Sequence, residues 1–350
     1  MPRFTFGAAI AALVAIFGYL DDAVAEKFIC ESDHGNSPYP ISAMPNYDHD
    51  RYAPDEKEVL KRFDAYASSF DGEDDDDGDG KGDLLAVPQW VSYELKGVSP
   101  NANGEYQEPD ISIARPNDWY RAPDLSFLWT NRAGITKGRI DDSYDGIGTV
   151  WNRGHLAMAD HAQRISWQAS CNTHFFWNAV PQAQDMNQGP WRHLEDYTAA
   201  ASNKFKRLWI IAGPVFEKGK PIGFIGEKSK GEVPVAVPHA MFKVVVRDLG
   251  NDKVDALAFL FPQPYVDGRD GQPRPTETWV NCNKAKGMNH IYDHRPRLRS
   301  VAEIEDITGL TFFPGALNRE EARVRKPAAL WPVEMKYWDS KVCVGQRYVP

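Results

Sequence analysis

The stretch Thr149–His161, TVWNRGHLAMADH, sets Trp, Asn, Arg, Gly and His side by side. Neither an apolar stripe of helical period nor a strict two-residue alternation accounts for it. It reads as the end of a strand where several polar groups are presented together. A second block of this kind follows at Asn178–Asp196, NAVPQAQDMNQGPWRHLED. In it Asn187, Trp191 and Glu195 recur every four residues, so a helix there would line all three along one face. Asn187 also lies just ahead of Pro190, which favours the first turn of a helix, and an N-cap is the competing reading for it.

Taken singly these residues have ordinary explanations: His155 a structural histidine, Glu195 a solvated helical acid, Asn187 a cap. Taken together they fit one chemistry. A neutral imidazole can take a proton from water near neutral pH. A carboxamide oxygen is a hard ligand suited to Mg²⁺, which keeps most of its waters, and a carboxylate two turns along can hold one of them. An arginine binds a phosphate oxygen in bidentate fashion. The sum is metal-assisted phosphodiester hydrolysis.

The two blocks closely resemble the DNA/RNA non-specific endonucleases of the ββα-metal superfamily, the family that includes mitochondrial endonuclease G. The family signature is D-R-G-H, then N-x-x-P-Q, L-N-Q-x-x-W and L-E. Here NRGHLA, NAVPQAQDMNQGPWRHLED, IAGPVF and VPHAMFKVVV stand in the same order, and the similarity runs from Leu84 to Phe313. The resemblance implies an α+β fold, a central antiparallel sheet flanked by helices as an α/β/α sandwich. It implies His155 as general base and Asn187 as the sole direct protein ligand of Mg²⁺ (or Mn²⁺). Glu195 would hydrogen-bond a water of that ion, Asn178 would orient the site, and Arg153 is the motif arginine. Gly154 would give the backbone freedom to bring His155 to the metal. Products would carry 5′-phosphates. The partners implied are DNA and/or RNA, held through backbone phosphates; an inhibitor protein is a further partner only if the biological role is that of a toxin. Two positions depart from the family: Asn152 stands where aspartate is usual, and Ala199 where one branch has an arginine. The arginine facing the transition state would then come from elsewhere, with Arg121 and Arg164 as candidates.

The remainder of the chain sets the context. Residues 1–25 carry Arg3, an apolar run from Phe4 to Leu20 and Ala23-Val24-Ala25, the pattern of a secretory signal peptide cleaved after Ala25. A secreted or periplasmic location follows, with no membrane contact after cleavage. In an oxidising compartment Cys30, Cys171, Cys282 and Cys343 point to two disulfides in any of three pairings, tying the terminal segments to the body. A zinc site at Cys171 and His174, with His155 and His161 near, is the alternative, but no second close pair completes it. Residues 26–83 form an N-terminal segment, 84–320 the endonuclease domain and 321–350 a tail expected to be disulfide-tied. Within the first, Pro54–Phe70 reads as one helix with Leu60, Phe63 and Tyr66 on a stripe. Asp75, Asp77, Asp79 and Asp83 around Gly80 match the first half of a Ca²⁺ loop, although Ala86 replaces its closing glutamate. Arg164 apart, helices are expected after Pro190 and over Ser300–Gly309, strands at RLWIIAGPVF and VPHAMFKVVV, and turns at Pro181 and Gly213-Pro214.

The net charge of −9 argues against a polyanion partner. Yet Asp71–Asp83 alone holds eight acids and one lysine, so the rest is close to neutral and a local basic face is open. Arg295, Arg297 and Arg299, or Lys204, Lys206 and Arg207, could supply it. Two rival functions stand beside the nuclease: a catalytically weak surface protein binding nucleic acid or calcium, and a phosphatase of small esters. The second lacks the cluster of carboxylates and histidines that two-metal sites use.

Overall fold

In the computed structural model the residues described are 27–33, 35–41, 46–71, 85–116, 118–125, 140–145, 147–268, 272–276, 278–341 and 349. The expected signal peptide (residues 1–25) and the expected Ca²⁺ loop at Asp75–Asp83 lie outside them, as does Cys343. Seven strands pair into one antiparallel sheet: β1 (Val59–Arg62), β2 (Ala67–Phe70), β3 (Trp90–Lys96), β6 (Arg207–Val215), β7 (Ala240–Gly250), β8 (Lys253–Pro262) and β9 (Leu298–Arg299). Their order across the sheet is β9-β8-β7-β6-β3-β2-β1. Between β3 and β6 in the chain comes a separate antiparallel ribbon of β4 (Trp151–His155) and β5 (Ala179–Ala183).

Strand alternation gives the sheet two buried faces. Ala240, Phe242, Val244 and Val246 of β7 join Trp90 and Trp209 in one apolar layer, covered by α3 (Val301–Thr308) and α4 (Arg319–Val324). Met241 and Val245 face the other way with Val91, Tyr93 and Ile210, under α1 (Arg192–Phe205) and the β4–β5 ribbon. This is the expected α/β/α sandwich. Helix α3 starts at a Ser300/Glu303 capping box and ends at Gly309 in the left-handed region (φ 72°), as its sequence signals indicate.

Three local expectations are corrected. Pro54–Phe70 is not a helix but the β1–β2 hairpin, whose turn closes through Phe63 N–H donating to Tyr66 O at 2.7 Å. The three-residue spacing of Phe63 and Tyr66 reflects the two ends of that turn, where both rings enter the core stacked 4.4 Å apart. Pro181 lies inside β5, opposite Arg153 in a two-stranded ribbon that tolerates a missing N–H. Strand β6 likewise runs on through Gly213-Pro214 to Val215, which pairs with Ala240.

Cys30 is bonded to Cys171, joining a short strand at Lys27–Ile29 to the helix at Trp167–Asn172, and Cys282 is disulfide-bonded as well. The N-terminal tie is thus as expected, and the pairing removes Cys171 as a zinc ligand. The Lys27–Ile29 strand pairs in parallel with Ser112–Ala114. Among the described residues no helix is long and apolar enough to cross a membrane.

Candidate active site

The β4–β5 ribbon and the start of α1 enclose one cleft of about 690 Å³. His155 comes to it from the end of β4, Asn152 and Arg153 from the same strand, Asn187 and Glu195 from the helical run that follows β5. The imidazole and the carboxamide on which the sequence reading turns therefore face one cavity.

Local backbone chemistry aims Asn187. Residues 184–205 are continuously helical, but a wide π-turn spans Asn187–Trp191 and Gly189 leaves helical geometry (φ −124°, ψ −108°). Pro190 has no N–H to continue an i→i−4 ladder, so the turn opens there. Asn187 itself keeps α-helical angles (φ −59°, ψ −44°), so it is not an N-cap, and Pro190 is not at a helix start. A Cβ on Gly189 would fall 2.2 Å from Val280 O, because the segment leading to α2 (Cys282–Met288) packs on that kink. Asn281 and Cys282 of this segment form the opposite wall of the cleft.

Gly154 has a different reason from the one expected. Its φ is unexceptional, but a Cβ there would meet Gln182 Oε1 at 2.3 Å. Glycine at this position supplies room, not conformational freedom.

His155 is packed in an aromatic corner, 4.5 Å from Trp119 and 4.7 Å from His174 between ring centroids. Its Nε2 is enclosed and has no hydrogen-bond partner among the described residues. Burial, then the neighbouring His174 and Arg115, hold its pKa well below the ordinary histidine value. The ring is neutral at pH 7 and free to accept a proton. Glu195 is 6% exposed, with burial pushing its carboxyl up and Lys243 opposing that shift. Its Oε1 has no hydrogen-bond partner, and no hydrogen bond of the Asn187 side chain is found among the described residues.

Asn178 does not line the cleft. It is fully buried, donates from Nδ2 to Ala157 O (2.9 Å) and Thr173 O (2.8 Å), and accepts from Ala157 N–H (2.7 Å). It pins the chain leaving His155 to the turn before His174, a positioning role. Asn178→Ala leaves three backbone groups unsatisfied, and urea unfolding should show a loss of about 3 kcal/mol. A loss under about 1 kcal/mol would contradict the clamp.

Both candidate arginines are elsewhere. Arg121 approaches Asp141 at 3.8 Å, away from the cleft. Arg164 is a buried clamp on Glu108, Lys96 O and Ser202 Oγ. The arginines that do line the cleft are Arg115, Arg153 and Arg192, facing Glu195 as the sole carboxylate among the lining residues. Arg153 lies 3.6 Å from Asp145 and over the Tyr144 ring at 5.8 Å. Arg115 is delivered by the Ser112–Ala114 strand, and the following segment is fixed by Tyr120 N–H donating to His174 O at 2.8 Å. Arg192 directly follows Trp191 in the second block, a signal the sequence did carry. Of the proposed basic runs, Lys204 lies in the last turn of α1, about 18 Å along the helix from Arg192, and Lys206 and Arg207 lie beyond it at the start of β6. Arg295 is paired with Asp293, while Arg297 lies over Trp279, close in sequence to the cleft wall.

Histidine burial is not confined to His155. Burial holds His49 and His174 down to about 4 and His294 to about 3. Each folded pKa lies below the unfolded value near 6.5, so the unfolded chain binds more protons between the two. Stability is therefore lost as pH falls from about 6.5 towards 4, on the order of 3 kcal/mol for a histidine held at about 4. Urea midpoints at pH 7.5 and pH 5 should differ in that direction. An equal midpoint would show that these rings protonate within the fold.

A strand pair delivers the histidine and the following helix the carboxamide and carboxylate, in that order along the chain. Comparison with known sequences makes the family explicit: residues 81–319 match the DNA/RNA non-specific endonuclease family, and the chain belongs to it. It is 28% identical over 176 residues to human mitochondrial nuclease EXOG, covering 49% of this chain and 42% of that one. It is 27% identical over 244 residues to human mitochondrial endonuclease G (68% and 66%). A Nostoc nuclease is 36% identical over 228 residues (64% and 66%). The chain thus spans less than half the length of the human EXOG protein. The solved EndoG/EndoGI complex aligns over 77% of this chain and 90% of that one, at 18% identity and a TM-score of 0.48.

Proposed function

We propose that this protein is an exported, Mg²⁺-dependent (or Mn²⁺-dependent) endonuclease that hydrolyses phosphodiester bonds in DNA, RNA or both. The observation that carries the reading is the cleft itself, lined by a neutral histidine whose enclosed Nε2 has no hydrogen-bond partner among the described residues, by Asn187 and Glu195, and by three arginines. A cation fits these residues. The Asn187 carboxamide oxygen would hold it directly and Glu195 through one of its waters; among the described residues neither the Asn187 side chain nor Glu195 Oε1 has a hydrogen-bond partner. When bound, the cation supplies Lewis-acid stabilisation of charge building on the phosphate.

The chain's own residues do the rest. His155 Nε2 takes a proton from a water as its oxygen bonds to phosphorus, and the P–O3′ bond breaks. The 3′ oxygen leaves protonated from solvent, and the phosphate stays on the 5′ side. Arg115, Arg153 and Arg192 bind non-bridging oxygens, and none of them reads a base edge. Low sequence preference and steep salt dependence follow. Trp119 and His174 exclude water from one side of His155 and keep it neutral. Export is supported by the leader pattern and by the disulfides, which persist in oxidising compartments.

The test is plasmid DNA and RNA incubated with mature protein in Mg²⁺ or EDTA. Cleavage in Mg²⁺ alone is expected. No cleavage of either substrate would instead leave a nucleic-acid-binding protein that has lost turnover through Asn152.

A further inference from the structure

Beneath the cleft lies a charge that the reaction above does not use. Lys243 projects from β7 towards the layer containing α1 and is 0% exposed. Its Nζ lies 3.6 Å from Glu195 Oε1 and 4.1 Å from the centroid of the Trp191 ring. At 3.6 Å the pair is in ionic contact but beyond a hydrogen bond, and neither atom has a hydrogen-bond partner among the described residues. A lysine is almost never fully buried without a counter-charge. The ammonium is held from one side by the π face of Trp191 and faces the carboxylate on the other.

The remaining groups around the pair do not substitute for either member. Arg192, on the same helix as Glu195, is exposed to solvent, and Asp160, on the neighbouring Ala159–Ala162 helix, adds negative charge. His161 of that helix uses its Nε2–H on Glu195 O (3.2 Å), and His294 lies on the Lys243 side; burial keeps both rings neutral. Lys243 is therefore the buried cation that faces Glu195. An ion pair taken out of water is a poor source of stability, since a hydrophobic residue of similar volume often serves folding as well. Its placement directly behind a carboxylate that opens on the cleft calls for a role in the site.

We propose that Lys243 is the positioning residue for Glu195: from inside the fold it keeps the carboxylate turned towards the cleft, where Glu195 holds a water of the cation bound by Asn187. This rests on the endonuclease reading above. Trp191, whose face carries the ammonium, fixes the geometry from the widened turn that also sets Asn187.

The test is a double-mutant cycle on the full mature chain with wild type, Lys243→Met, Glu195→Gln and the double variant. Mn²⁺ affinity is read by calorimetry without nucleic acid, and kcat and KM by cleavage of a defined duplex in saturating Mg²⁺. Lys243→Met should weaken Mn²⁺ binding about 10- to 100-fold, the range for residues that orient metal-holding groups. It should lower kcat with KM for the duplex within about threefold of wild type. The double variant should be no worse than Glu195→Gln within about threefold, because Lys243 then has nothing left to position. Wild-type Mn²⁺ affinity in Lys243→Met, or losses that multiply in the double variant, would overturn the proposal. Should Lys243→Met not fold, Lys243→Arg keeps the charge: affinity within about tenfold of wild type supports the role and a larger loss overturns it. If wild type binds Mn²⁺ but cleaves nothing, the endonuclease reading fails while the Mn²⁺ cycle still decides the Lys243–Glu195 coupling.

Discussion

His155→Ala should lower kcat for plasmid cleavage by about 10³- to 10⁴-fold, the upper range for a general base, with Mn²⁺ affinity unchanged. The size follows from where the imidazole sits. Its Nε2 is an enclosed proton acceptor without a hydrogen-bond partner among the described residues, and burial, then His174 and Arg115, keep the ring unprotonated. His174, the neighbouring imidazole on the cleft wall, is held by its Nδ1–H on Cys171 O with its ring edge-on to His155 at 86°. Because the active form of His155 is neutral and its pKa is depressed, activity should persist below pH 6.5 and fall only as pH drops through that lowered value. Activity that instead titrates near 6.5 would mean the base is a more exposed group.

Asn187→Ala should abolish Mn²⁺ binding in the micromolar-to-millimolar range accessible to calorimetry and reduce cleavage more than about 100-fold, beyond the cost of removing an outer-sphere partner. The fold should survive. Asn187 is half-buried, makes no cap and sits in ordinary α-helical geometry, so its removal leaves no backbone group unsatisfied. Unchanged thermal stability with lost metal binding is the expected signature. Wild-type Mn²⁺ affinity in this variant would move the metal site elsewhere.

What the sequence showed and what it hid divide along contact distance. The NRGH strand and the Asn187–Glu195 run are local patterns, but the widened turn at Asn187–Trp191 breaks the four-residue period, so Asn187 and Glu195 line the cleft while Trp191 turns to Lys243. Pro190 marked a helix landmark but not its nature: a missing N–H can start a helix or widen one, and the packing of Val280 against Gly189 decided for a widened turn. Arg115 could not be found by spacing. It reaches His155 because residues 112–114 pair with 27–29 and Tyr120 bonds to His174, contacts between segments distant in the chain. Arg164 looked available for the opposite reason, since nothing near it in sequence announces the Glu108 carboxylate that holds it. Lys243 was quoted within a strand, but the alternation of β7 alone does not say which helix carboxylate covers it.

The central claim is that one cation is held by Asn187 opposite His155. Anomalous diffraction from crystals of the mature protein soaked in Mn²⁺ tests it most directly. The account predicts a single strong cleft peak in direct contact with Asn187 Oδ1, with Glu195 and His155 on its far sides and no protein carboxylate bound to it. A peak coordinated by other side chains, or a cleft without one at Mn²⁺ concentrations that support cleavage, would contradict it.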